Sequence, residues 1–240
     1  VRPMKSFPLL WTAFLFFKAV PLSFTLKRHL MKKIISLFIV SFLLCSSLLF
    51  SQEVSRYQND IQTIKQYDKI YAPPKNPILF VGSSSFRLWG DLERTFANYQ
   101  VLNRGIGGAV IQDISYHIDD LITPYAPRQI FIYVGENDIA NQTTSEAVLN
   151  NTKKLLTEIR ERLPSVPIVY IAMKPSPSRE KFLPIVIKAN QQIQDYIATQ
   201  KKMTFIDVFT PMLTREGKPK PELFLADQLH MNQSGYAIWI

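Results

Sequence analysis

The chain has 240 residues and a formal net charge of +9 at pH 7. This excess lies at the amino terminus, because residues 1–51 hold seven Lys and Arg residues and no acid, leaving 21 basic and 19 acidic residues beyond them. A remainder with a net charge of +2 excludes nucleic-acid binding driven by overall charge. The single cysteine, Cys45, lies in the same amino-terminal part, so the rest of the chain has neither a cysteine nucleophile nor a disulfide.

Residues 31–51 have the pattern of a secretory signal peptide. A methionine and two lysines precede an apolar run at residues 34–44, and small residues follow that run. We expect cleavage after Ser51, with cleavage after Ser47 as the alternative. The pattern predicts a secreted or periplasmic protein that meets the membrane only through this targeting segment.

Residues 1–30 precede the predicted signal peptide. We interpret them as an upstream extension from a start codon assigned too early, so that translation begins at Met31. The competing interpretation is a membrane anchor built from both apolar segments, although the second is only about long enough to span a bilayer once. Cys45 resembles a lipoprotein attachment site, but the bulky Leu44 disfavours it.

The remaining chain predicts alternating strands and helices. Residues 52–77 are polar and end in a proline-rich stretch, which predicts a lead-in helix and a linker before a domain at residues 78–240. Apolar runs without polar alternation are typical of strands buried on both faces, hence of a parallel sheet. Such runs lie at residues 78–81, 101–103, 130–134, 168–172 and 203–208.

Helical periodicity fills the segments between these runs. One stripe comprises Ile111, Ile114, Ile118, Leu121 and Ile122, and a second comprises Val148, Thr152, Leu155, Ile159 and Leu163, opened by a capping box at residues 143–146. A third helix is predicted from residue 183 to residue 200. Strand–helix alternation implies right-handed crossovers and a three-layer α/β/α sandwich, whose ligands bind at the carboxyl ends of the strands.

Four polar blocks follow the predicted strands or lie in the last loop. They read Gly-Ser-Ser-Ser at 82–85, Asn-Arg-Gly-Ile-Gly-Gly at 103–108, Gly-Glu-Asn-Asp at 135–138 and Asp-Gln-Leu-His at 227–230. A serine on a turn after a buried strand and a histidine beside a carboxylate are the minimum components of a serine hydrolase. In this order, the blocks resemble the SGNH (GDSL-type) esterase and lipase superfamily over nearly the whole domain.

The resemblance implies a flavodoxin-like SGNH hydrolase fold and a Ser-His-Asp triad. The nucleophile would be Ser84, with Ser85 as the alternative if the register differs, and Ser83 stands where many members have aspartate. His230 would be the base, and Asp227 would accept its Nδ1–H. The resemblance also implies that the reaction needs no metal or cofactor.

Oxyanion donors are likewise implied by the resemblance. They are the backbone N–H of Ser84, the N–H of Gly108 and the side-chain amide of Asn137. Gly107 is a close alternative to Gly108. Without the resemblance, the glycines would only permit a turn and Asn137 would only cap a loop.

Of the three histidines in the chain, one is a good candidate for the base. His29 precedes the predicted signal peptide. His117 lies at the margin of an apolar helical stripe, which predicts a surface or boundary position. His230 follows a polar loop, and its ring can reach Asp227 if that loop bends.

We therefore expect a secreted serine esterase acting on short acyl or acetyl esters of a small molecule or carbohydrate. The alternatives are a non-catalytic carbohydrate- or lipid-binding protein with the same fold, and a lysophospholipase or thioesterase. Phe86, Leu88 and Trp89 are predicted to pack into the core, with an acyl pocket as the alternative. Residues 236–240 resemble the first turns of a truncated closing helix.

Overall fold

The computed structural model describes residues 57–240. The predicted extension at 1–30, the predicted signal peptide at 31–51 and Cys45 lie outside the described residues. Helix α1 covers Gln58–Ile70, within the segment for which the sequence predicts a lead-in helix. Within residues 57–240, no helix is both long enough and apolar enough to cross a membrane.

Five parallel strands form one sheet in the order β2-β1-β3-β4-β5. They are β1 Ile78–Gly82, β2 Val101–Gly105, β3 Gln129–Tyr133, β4 Ile168–Ile171 and β5 Met203–Ile206. This sheet confirms the predicted α/β fold. The prediction that all the longer runs are buried on both faces is wrong for β5, which lies at the sheet edge and alternates half-buried and exposed side chains.

Helices connect consecutive strands on both faces of the sheet. They are α2 Ser84–Arg87, α3 Leu92–Thr95, α4 Ile111–Tyr116, α5 Ile118–Leu121, α6 Glu136–Ala140, α7 Ser145–Arg162, α8 Leu183–Ala198 and α9 Gln233–Ala237. The β1–β2 connection runs in the opposite direction along the sheet from the later connections. Right-handed crossovers therefore place α2 and α3 on one face and α4, α7 and α8 on the other, where α7 contacts both α4 and α8.

His117 interrupts the helix that the first apolar stripe predicts. Its backbone angles (φ −102°, ψ 22°) are not helical, and it separates α4 from α5. The side chain is buried, and its Nδ1 lies 3.0 Å from Asp120 Oδ2. The predicted surface or boundary position is therefore wrong, because the ring turns inward to a carboxylate on the next helix.

Two helices begin at different residues from those predicted. The predicted capping box at residues 143–146 is replaced by Thr144, whose Oγ1 accepts the N–H of Ala147 at 3.2 Å. Near the carboxyl terminus, Asn232 Oδ1 accepts the N–H of Gly235 at 3.1 Å, so α9 begins earlier than predicted. In both cases a short polar side chain satisfies a free N–H of the first turn.

Aromatic packing joins α9 to α2. Phe86 and Trp89 are buried, which confirms their predicted core position, whereas Leu88 is 48% exposed. Tyr236 stacks on Trp89 with ring centroids 4.9 Å apart, and its hydroxyl donates to the Ser85 carbonyl at 2.8 Å. The helix that follows the Asp-Gln-Leu-His block is thus fixed to the helix that begins at the serine block.

Candidate active site

Ser84 lies at the carboxyl end of β1, where the chain passes directly from strand to helix. Gly82 has a φ of +149°, and a Cβ atom there would lie 1.9 Å from the carbonyl oxygen of Tyr133. Only glycine permits this approach of β1 to β3. Ser84 is the first residue of α2, so its side chain and N–H stand at the sheet edge where ligands of such folds bind.

The structure brings His230 to Ser84 across 146 residues of sequence. His230 Nε2 lies 3.1 Å from Ser84 Oγ, and His230 Nδ1 lies 2.6 Å from Asp227 Oδ2. The alternative nucleophile, Ser85, is buried. The imidazole of His230 therefore lies beside Ser84, the serine that the sequence predicts as the nucleophile.

Asp227 is held ionised by its own loop. Its Oδ1 accepts the backbone N–H groups of His230 and Leu229, each at 2.9 Å. These two bonds, followed by the bond from the imidazole, lower the pKa of Asp227 to about 2. Gln228 has a φ of +54°, which bends the loop back on itself. Because an ionised carboxylate only accepts, His230 Nδ1 must donate, which leaves Nε2 free to accept the Ser84 proton.

The Asn137 side chain links two neighbouring segments. Its Nδ2 donates to the carbonyl of Ala109 at 2.9 Å, and its Oδ1 accepts from Arg179 Nη2 at 2.9 Å. Asn137 lies in α6, which begins directly after Gly135. An amide has two N–H bonds, so one remains for a ligand beside the Ala109 contact.

The glycine block that contains Gly108 is attached to the Asn137 block at a second point. Gly108 has a φ of +76°, a backbone conformation that favours glycine. Three residues later, the N–H of Ile111 donates to both carboxyl oxygens of Asp138, at 3.3 and 3.2 Å. Burial raises the pKa of Asp138 to about 7. The two loops that hold the predicted oxyanion donors are therefore joined twice.

A buried polar cluster behind Asn137 was missed by the sequence reasoning. It comprises Tyr133, Glu136, Lys174, Ser176 and Arg179. The signal in the sequence was weaker than that of the four polar blocks: residues 174–179 follow the fourth apolar run after Met173 and combine two basic residues with two prolines. Within residues 57–240, no group of three or more His, Cys, Asp or Glu side chains could hold a metal ion.

The parallel sheet and the polar blocks along its carboxyl edge define the class of protein: an ester-bond hydrolase of the SGNH type. The model of the GDSL-like Lipase/Acylhydrolase family matches residues 79–238, and the chain belongs to this family. No functionally curated protein shows significant similarity to the chain.

Solved structures with the same fold come from several bacteria. A Streptococcus pneumonia protein described under the name platelet activating factor has 23% identity and a TM-score of 0.66, covering 80% of this chain and 94% of that one. A GDSL-like lipase from Bacteroides thetaiotaomicron has 18% identity and a TM-score of 0.63, with coverage of 75% and 92%. An acetyl-xylooligosaccharide esterase from Geobacillus Stearmophilus has 14% identity and a TM-score of 0.55, with coverage of 70% and 92%. At these identities the likeness establishes the fold.

Proposed function

We propose that the protein is a serine esterase that cleaves carboxylic esters through an acyl-enzyme. Ser84 Oγ attacks the ester carbonyl while His230 Nε2 takes its proton, and the same proton then passes to the departing alcohol. Water repeats these steps on the acyl-enzyme and releases the acid. The observation that carries the proposal is the hydrogen-bonded series from Ser84 Oγ through the imidazole to Asp227.

The oxyanion of the tetrahedral intermediate would be bound by three N–H donors. We assign these to the backbone of Ser84 and Gly108 and to the side chain of Asn137. The first-turn position of Ser84 supports its part, because N–H groups there have no partner within the helix. The Asn137 amide uses one N–H for the Ala109 carbonyl, and its second N–H supports its assignment as the third donor.

The proposed substrates are esters of short acyl groups, with acetyl groups on carbohydrate preferred. Phe86 and Trp89 are buried in the core and are not exposed beside the nucleophile, which favours short acyl groups. Similarity to an acetyl-xylooligosaccharide esterase also supports a sugar ester. Membership of an acylhydrolase family favours the enzyme over the non-catalytic binding alternative.

A lysophospholipase or thioesterase activity is the second candidate. Leu88, one turn after Ser84, is 48% exposed. Leu225 is equally exposed, and its N–H donates to the His230 carbonyl at 2.7 Å. Two exposed leucines beside the catalytic residues would suit a longer acyl chain.

We further propose export from the cytoplasm through the signal peptide at residues 31–51. Lipoprotein attachment at Cys45 is the alternative, and neither nucleic acid nor a cofactor is an expected partner. Mass spectrometry of the amino terminus of the protein recovered from expressing cells distinguishes signal-peptide cleavage from lipid attachment. A mature protein beginning at Gln52 or Leu48 supports export, whereas an amino-terminal lipid on Cys45 supports the anchored form.

Hydrolysis of p-nitrophenyl acetate, butyrate and octanoate tests the function. Ser84→Ala should abolish turnover and labelling by a fluorophosphonate, while Ser85→Ala keeps both. The acetate-to-octanoate ratio then separates short-acyl from lipid substrates. Equal activity in the wild type and in Ser84→Ala, without labelling of either, would contradict the proposed mechanism.

A further inference from the structure

Arg179 lies behind Asn137, at the kink within the 3₁₀ segment Pro177–Phe182 that follows β4. Its Nη2 donates to Asn137 Oδ1 at 2.9 Å, and its Nη1 lies 3.3 Å from Glu136 Oε1. The guanidinium therefore holds two consecutive residues of α6. A planar fork of donors suits this two-point contact, which a single ammonium does not reproduce. The side chain is only 19% exposed, so water competes little for these bonds.

The two neighbours of the Asn137 amide require the same orientation. Ala109 offers a carbonyl oxygen and Arg179 offers N–H groups. If the amide were rotated by half a turn, its oxygen would face the Ala109 oxygen and its NH₂ would face the guanidinium, so both contacts would be repulsive. The N–H that Ala109 does not use therefore points in one fixed direction.

Glu136 anchors the guanidinium. Its Oε2 accepts from the Tyr133 hydroxyl at 2.5 Å and from Lys174 Nζ at 2.6 Å, and its Oε1 accepts from Ser176 Oγ at 2.7 Å. Burial alone would raise the pKa of Glu136, but the charges of Lys174 and Arg179 hold it below its ordinary value. A carboxylate with this many donors is fixed in place, so the arginine that it pairs with is fixed too.

The same segment contacts the other half of the site. The backbone N–H of Ser178 donates to the carbonyl of Gln228 at 3.0 Å. Gln228 lies between Asp227 and His230 in the loop that carries the base. Residues 178 and 179 thus attach to the base loop and to the Asn137 amide, respectively.

We propose that Arg179 is a positioning residue that fixes the Asn137 amide so that its unused N–H faces the developing oxyanion. This inference rests on the proposed esterase function. Arg179 touches no reacting atom in this role and acts only through Asn137. Because the oxyanion bond forms in the transition state, losing the orientation lowers kcat and leaves KM nearly unchanged.

A double-mutant cycle tests the coupling. The full-length wild type, Asn137→Ala, Arg179→Gln and the double variant are compared for kcat and KM with p-nitrophenyl acetate. We expect Asn137→Ala to lower kcat roughly 100- to 1000-fold. We expect Arg179→Gln to lower it about 10-fold in the wild type, with KM within about twofold, but less than about twofold in the Asn137→Ala background.

The outcomes separate this inference from the proposed function. A similar loss of kcat on Arg179→Gln in both backgrounds would show that Arg179 acts independently of Asn137 and would overturn the inference alone. A raised KM with unchanged kcat would also overturn it, because Arg179 would then be binding substrate. Unchanged kcat in Asn137→Ala would overturn both the inference and the proposed oxyanion donor.

Two further variants keep the test decisive. Arg162→Gln is the matched control, since Arg162 makes a bidentate pair with Asp119 at 2.8 and 3.2 Å, and it should leave kcat unchanged. If Arg179→Gln does not fold, the cycle is run with Arg179→Lys, which keeps the positive charge but loses the fork. The same dependence on Asn137 is expected there, and an equal loss in both backgrounds would again reject the positioning role.

Discussion

The two halves of the active site are stabilised in different ways. In the half with the proposed base, the Asp227 carboxylate is held locally: it bonds to residues two and three positions later, and its side chain is 48% exposed. The half with Asn137 depends on contacts with segments 28 and 42 residues away. Its anchor, Glu136, is buried. The comparison teaches that the proposed proton transfer depends on a short loop motif, whereas the orientation of the Asn137 amide depends on the assembled fold.

Removal of the base should give the largest effect. We expect His230→Ala to lower kcat roughly 100,000-fold while the folded structure persists, because the hydrogen bonds of the ring go to Ser84 and Asp227. Steady-state kinetics and the melting temperature measure the two quantities separately. A variant with lost activity and a strongly lowered melting temperature would contradict the idea that this half is only locally supported.

Substitutions in the buried half, around Glu136, should lower the stability of the fold. Lys174→Met leaves Glu136 with one fewer buried cation, so we expect the free energy of unfolding to fall by about 3 kcal/mol. Urea denaturation measures this free energy of unfolding. Lys188→Met is the matched control, because Lys188 pairs with Glu146 at the surface and should cost less than about 1 kcal/mol. Equal losses in the two variants would remove the distinction between the halves.

Loss of the amide donor should be smaller than loss of the base. We expect Asn137→Ala to lower kcat roughly 100- to 1000-fold. The measurement is kcat with p-nitrophenyl acetate, with Asn141→Ala as a control at the carboxyl-terminal end of the same helix. Equal turnover in Asn137→Ala and the wild type would remove Asn137 from the mechanism.

The pH dependence of stability gives the smallest expected effect. Burial raises the pKa of Asp138 to about 7, above its ordinary value of 3.8, so the folded state binds more protons than the unfolded state between these values. The contribution of Asp138 to the free energy of unfolding therefore falls as pH rises through this window, by about 2.5 kcal/mol between about pH 5 and about pH 8. Urea denaturation at the two pH values measures the free energy of unfolding, and we expect Asp138→Asn to lack this fall. An identical pH dependence in both proteins would contradict the assignment.

The local half of the site could be predicted from sequence, whereas in the distributed half Asn137 could be identified but the residues that hold its side chain could not. The Asp-Gln-Leu-His block places the carboxylate and the imidazole within one turn of chain, and a serine after an apolar run marks the strand end. Arg179 carries no comparable signal, because its partners Glu136 and Asn137 become neighbours only after β3 and β4 pair. The break at His117 was missed for a different reason: its partner Asp120 is only three residues away, but periodicity describes one face of a helix and not a bond that turns a polar ring inward.

The attachments at Ser178 and Arg179 fix the length of chain between the two halves. One peptide bond separates the N–H that binds the base loop from the residue that binds the Asn137 amide. An extra residue at this junction would move one attachment by about 3.5 Å, more than a hydrogen bond can stretch. Deletions and insertions here should therefore be tolerated far less than in the exposed turn around Gly217, although both segments connect larger elements of the fold.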